Sequence, residues 1–105
     1  MELGDEMIIH TVVFKTKHEK GSEEEKDFLK AGIALGKLSM VNNFQCYKQV
    51  SAKNEFEFGF SMEFTSKQEY DAYNNYPDHL DFVETRWKLE VENFMEIDYI
   101  KHQIT

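Results

Sequence analysis

One cysteine, one proline and five glycines are all that the 105-residue chain holds of the residues that staple, break or loosen a backbone. With Cys46 alone, an internal disulfide is excluded and no thiolate cluster can hold zinc or an iron–sulfur centre, so Cys46 reads as a small buried hydrophobe. Basic residues are scarce too: 12 Lys and Arg stand against 20 Asp and Glu, and the formal charge of -8 repels phosphate backbones and anionic lipid headgroups. Nucleic acid is therefore not expected as a partner. No run approaches the roughly 20 apolar residues of a membrane helix. The opening Met1 to Glu6 is acidic where a secretory leader is basic and then apolar, so the expectation is a cytoplasmic protein without membrane contact. No pair of histidines has helical metal spacing, and neither a metal nor a cofactor is expected.

What is present is apolar and aromatic. At 41% apolar and 14% aromatic the chain can build a core, and its length suits one domain. Residues 1–6 are expected to be a disordered N-terminal arm, 7–101 the domain and 102–105 a polar tail. Residues 7–16 are rich in β-branched types, with Ile8, His10, Val12 and Phe14 on one face and Ile9, Thr11 and Val13 on the other. Both faces are largely apolar, which predicts a central strand covered on both sides.

Ser22-Glu23-Glu24-Glu25 predicts a capping box in which the serine oxygen accepts a backbone N–H and Glu25 reaches back. Phe28, Ala31, Leu35 and Leu38, flanked by Leu29 and Ile33, then form the apolar stripe of a helix lying on a sheet. Residues 44–50 predict an edge strand. Phe56, Phe58, Phe60, Met62 and Phe64 alternate with Glu57, Gly59, Ser61 and Glu63 and predict a strand with one apolar face. Ser66 to Glu69 is a second capping box, opening a helix with Tyr70 and Tyr73 that breaks at Pro77. Beyond the break Leu80, Val83 and Trp87 share a stripe, with Phe82 beside them, and residues 93–100 predict the last strand.

The order is β-α-β-β-α-β: an α+β domain whose antiparallel four-stranded sheet carries its helices on one face. The opposite face of the first strand is apolar as well, so a second copy of the chain, facing it across a twofold axis, is the economical cover.

Ile9 to Lys15 at the first strand, Tyr73-Asn74-Asn75-Tyr76-Pro77-Asp78-His79 at the helix break and Ile97-Asp98-Tyr99 at the last strand together resemble the stress-responsive A/B barrel family (Dabb). The Tyr, Pro and His of the middle run are the most specific part. The resemblance spans about residues 8–100 and implies a ferredoxin-like fold and a homodimer, a dimeric α/β barrel in which two sheets face each other. It also implies a pocket in each subunit between its sheet and its helices. A plant cyclase of the family closes a linear polyketide by aldol chemistry with a tyrosine and histidines lining that pocket. On that resemblance His10, Tyr73 and His79 are the candidate catalytic residues. Phe58 stands where the cyclase has a further pocket histidine, which implies a more apolar pocket. Phe58, Phe60, Val12, Phe14 and Trp87 are the candidate ligand-binding residues.

A phenol and an imidazole brought together can polarise a carbonyl oxygen and remove the proton beside it. Each candidate also has a structural reading. Tyr73 suits packing on the sheet, His79 capping of the broken helix, His10 a hydrogen-bonded core position, and the phenylalanine face and Trp87 the core itself. Three functions stay open: a cyclase- or lyase-type enzyme acting on a small, largely apolar carbonyl compound, a non-enzymatic ligand-binding or assembly module, and haem-linked or cofactor-free oxygen chemistry beside Trp87.

Overall fold

The structure, a computed structural model, describes residues 6–104. Met1 to Asp5 of the expected N-terminal arm, and Thr105 of the tail, lie outside the described residues. The chain forms β1 (Ile8–Thr16), α1 (Glu23–Ala34), β2 (Asn42–Lys48), β3 (Phe58–Phe64), α2 (Lys67–Asn74), α3 (Pro77–Phe82), α4 (Lys88–Glu90) and β4 (Val91–Tyr99). The strands make one antiparallel sheet in the order β2-β3-β1-β4, which is the ferredoxin-like arrangement. β2 lies at an edge, as its polar faces predict.

Alternation along β1 sorts its side chains. Ile8, His10, Val12, Phe14 and Thr16 are buried, whereas Ile9, Thr11, Val13 and Lys15 are only partly covered. The first set faces the helices, where Phe14 packs its ring 5.9 Å from Phe28, 4.8 Å from Phe60 and 5.1 Å from Trp87. Such tilted and edge-on aromatic contacts add to the burial of large apolar area.

Both helix starts are capped. Ser22 Oγ accepts from the Glu25 N–H at 3.2 Å, and Ser66 Oγ from the Glu69 N–H at 3.2 Å. Glu25 reaches back beyond the expected partner: its carboxylate accepts from the Gly21 N–H at 3.0 Å, because the Ser22 N–H is already bonded to the Glu19 carbonyl. Gly21 sits at φ +78°, the left-handed turn conformation that glycine enters without strain.

Four expectations need correction. α1 ends at Ala34 and a short 3-10 turn follows, so Leu38 lies beyond the helix and Ile33 is exposed; Gly32 instead meets the Phe60 ring. The chain winds as a π-helix over Val83–Trp87, which shifts the helical phase, leaving Leu80 exposed and burying Phe82. β3 begins at Phe58 rather than Phe56, because the Asn54 side chain takes the Phe56 N–H in a turn, and β4 begins at Val91. Cys46 is exposed on the edge strand rather than buried. The π segment is tied down at its end: Arg86 donates to Glu90 at 2.5 Å and to Asp27 of α1 at 2.9 Å.

Away from the helices, directly paired residues share a face. The register sets Ile9 beside Tyr99, Thr11 beside Ile97, Val13 beside Met95 and Tyr47 beside Gly59. Tyr47, Met95, Ile97 and Tyr99 are all exposed there. Among the described residues no helix is long and apolar enough to cross a membrane.

Candidate functional site

Between the helix-side face of the sheet and the segment from α2 to α4 lies a cavity of about 490 Å³. β1 contributes His10 and Val12 to its wall, β3 Phe60 and Met62, and β4 Phe94 and Glu96. Tyr73, His79, Phe82 and Trp87 close it from the helical side. The helix break makes this possible. Tyr76 is the N-cap of α3 and Pro77 enters its first turn, so the chain changes direction between Tyr73 and His79 and both rings meet at the cavity. Their centroids are 4.3 Å apart with the planes tilted by 38°.

Tyr73 is 2% exposed, and its hydroxyl holds its proton far above the ordinary phenol range, chiefly through burial and then through the charge of Glu96. At neutral pH it is a hydrogen-bond donor. His79 is half-buried. Its Nδ1–H donates to the Asn74 carbonyl at 3.3 Å, which leaves Nε2 as the acceptor of the neutral ring. Burial lowers its pKa; the Asn74 carbonyl and the Glu96 charge act the other way, and His10 adds to the lowering. Neutral imidazole is thus the resting form near pH 7.

His10 is held from its far side. Nδ1 lies 2.5 Å from Asp98 Oδ1, and the second Asp98 oxygen accepts from the Tyr70 hydroxyl at 2.6 Å. Nε2 lies 3.7 Å from Glu96 Oε1. Burial raises the Tyr70 pKa, and the bond to Asp98 raises it further.

The three candidate catalytic residues, His10, Tyr73 and His79, therefore line one cavity, together with Val12, Phe60 and Trp87. Phe14 and Phe58 do not. Phe14 is fully buried behind Phe60 and Trp87, and Phe58 packs on Phe14 at 5.9 Å, so both are core residues that support the wall. Asp98, Tyr70 and Glu96 were not among the candidates. Tyr70 had a signal, three residues before Tyr73 on the same helix face. Asp98 stood in the last of the runs that carry the resemblance but without a role, and Glu96 had no signal, since only the β1–β4 register sets them beside His10 and Val12. Among the described residues no group of three or more His, Cys, Asp or Glu side chains could hold a metal ion.

Comparison with known proteins adds the relationship. Residues 8–101 match the family described as the Stress responsive A/B Barrel Domain. A Dabb family protein with a ferredoxin-like fold from Mesorhizobium loti is 47% identical, covers 93% of this chain and 99% of its own, and superposes with a TM-score of 0.90. A hydroxynitrile lyase from Passiflora edulis is 13% identical over 96% of this chain and 98% of its own, with a TM-score of 0.81. A dimeric ferredoxin-like protein of unknown function from Thermobifida fusca is 13% identical over 96% of both chains, with a TM-score of 0.76. At such identity the last two share the fold alone. No curated protein matches in sequence. A match along nearly the whole chain, together with a relative of the same family at 47% identity, makes this chain a member of the stress-responsive A/B barrel domain family.

Proposed function

We propose that the cavity takes a small, largely apolar carbonyl compound and moves the proton on the carbon beside its carbonyl, the first step of aldol-type cyclase or lyase chemistry. The observation that carries this reading is the pairing of Tyr73 with His79, rings 4.3 Å apart, on the wall of an otherwise largely apolar cavity of about 490 Å³. Tyr73 donates its hydroxyl to the carbonyl oxygen, where negative charge develops. His79 Nε2 takes the proton from the adjacent carbon, and the C–H electron pair becomes the enolate double bond. His10, fixed by Asp98, orients the ligand from the sheet. In a ring closure the enolate carbon would then attack a second carbonyl of the same molecule, forming the C–C bond, and the new alkoxide would recover the proton from the His79 imidazolium. No oxidant or reductant is required.

The subunit reading is a homodimer through the open sheet face. The apolar side chains exposed there, Met95, Ile97 and Tyr99 of β4 and Tyr47 of β2, support it. So does the description of the Thermobifida fusca neighbour as dimeric.

The test uses acetophenone in deuterated buffer, with methyl deuteration followed by NMR. The expected result is exchange above the buffer rate, reduced at least about tenfold in Tyr73→Phe and in His79→Gln, within the range that general acid–base catalysis contributes. Exchange at the buffer rate, or full activity in both variants, overturns the enzymatic reading.

A further inference from the structure

Glu96 brings a carboxylate to an otherwise largely apolar cavity wall. On the helix-side face of β4 it lies between Phe94 and Asp98, paired with Val12 in register, and it reaches the wall of the cavity. Among the described residues the partner within ion-pair distance of its carboxylate is His10, at 3.7 Å from Nε2, and Asp98 already occupies the other nitrogen of that ring at 2.5 Å. Two carboxylates thus share one imidazole, and this corner of the cavity keeps negative charge whether His10 is neutral or protonated. Lys88 also lines the cavity, but its ammonium donates at 2.5 Å to Glu84, a residue outside the cavity lining. The Glu96 side chain is 53% and that of Asp98 37% exposed, so water screens part of their charge. The remaining wall is largely apolar, however, and a carboxylate seated against it meets both charges at short range, with no free cation beside it among the described residues.

From this placement we infer that Glu96 sets the charge selectivity of the cavity: it admits neutral carbonyl compounds and turns away those that carry a carboxylate. The inference rests on the ligand-binding reading above and deepens it, since it names the class of compound the site accepts. A neutral ketone accepts a hydrogen bond from Tyr73 and meets no opposing charge. An acid of the same shape brings a carboxylate toward Glu96 and Asp98, with Lys88 already paired.

The test compares acetophenone with the same ketone carrying a para-carboxylate. Trp87, the single tryptophan, lines the cavity, and its indole N–H cross-peak reports binding of either compound by NMR. Wild type is expected to bind the neutral ketone at least about tenfold more tightly, and Glu96→Gln to bring the two within about threefold of each other. Glu92→Gln removes the same charge from β4 at a residue that pairs with Lys15 at 3.5 Å and does not line the cavity, and it is expected to keep the wild-type ratio. Equal binding of both compounds by wild type overturns the selectivity while leaving the ligand reading intact. An equal shift in Glu92→Gln also overturns it, because net charge rather than Glu96 would then decide. If neither compound moves the Trp87 signal in wild type, the ligand reading fails and the selectivity falls with it.

Discussion

Asp98 holds His10 across 88 positions of sequence: Oδ1 lies 2.5 Å from Nδ1, and the other carboxylate oxygen takes the Tyr70 hydroxyl at 2.6 Å. A histidine that is 5% exposed would otherwise leave a ring nitrogen without a partner inside the domain. The bond therefore does two jobs, satisfying a buried polar group and fixing which face of the ring meets the cavity.

Asp98→Ala should accordingly cost about 1–3 kcal/mol of stability, the range for stranding a buried hydrogen-bonding group, whereas Tyr70→Phe should cost about 0.5–1.5 kcal/mol. Urea titration followed by circular dichroism gives both values, and nitrogen-15 NMR of the His10 ring should show loss of a single tautomer only in Asp98→Ala. An Asp98→Ala protein as stable as wild type, with an unchanged His10 spectrum, would show that the carboxylate does not position the ring.

Gly32 gives a prediction about the wall itself. A Cβ built there stands 2.6 Å from Cζ and 2.7 Å from Cε2 of Phe60, closer than carbon atoms approach. Helix propensity alone favours alanine by about 1 kcal/mol. Overpacking costs about 1–3 kcal/mol and here pushes a cavity-lining ring, so Gly32→Ala should be net destabilising and should weaken acetophenone binding. A stabilised Gly32→Ala variant would mean that the Phe60 ring moves aside without cost.

Much of this was legible in the sequence, and the limits have physical causes. The period-two face from Phe58 to Phe64 and the two serine caps are local patterns, and the strands and helix starts they predict are where the structure has them, within a few residues. Leu80 misled because the apolar spacing was projected through α-helical winding, while the chain winds as a π-helix over Val83–Trp87. Phe14 and Phe58 stood among the candidate ligand-binding residues, Phe58 through the resemblance, beside a reading of the phenylalanine face as core; depth within a face is set by what packs above it, here Phe28 and Trp87 on Phe14. Asp98 and Glu96 gain their meaning from strand register, a non-local property that no periodicity carries.

The pH dependence of stability follows from His79. Burial lowers its folded pKa, so as pH falls the unfolded chain takes up the proton before the folded one does. Stability from neutral His79 is therefore complete above its unfolded value of about 6.5 and is lost as pH falls from there through the lowered folded value. His79→Gln should flatten the fall of the melting temperature between about pH 7.5 and about pH 5 relative to wild type. Identical slopes for the two proteins would show that His79 titrates in the fold as it does in the unfolded chain.

The proposed homodimer makes the open face of the sheet its interface. Met95, Ile97 and Tyr99 are exposed on β4 in register with Val13, Thr11 and Ile9, so a largely apolar strip, interrupted by Thr11, crosses the two strands. In the proposed dimer a twofold axis through that strip would present each residue of it twice, and one substitution at its middle would act on both halves of the interface. Ile97→Lys places a strongly hydrated ammonium in each half, with no carboxylate paired to it in the register, since its neighbour across β1 is Thr11. Sedimentation at micromolar concentration should find wild type as a dimer and Ile97→Lys as a folded monomer. Leu89→Lys, a change at an exposed residue of α4 rather than on this face, should leave the dimer intact. A wild-type protein that sediments as a stable monomer would leave the strip open to water and remove the reason for its apolar character. Dissociation by both lysine variants alike would place the contact elsewhere than on this face.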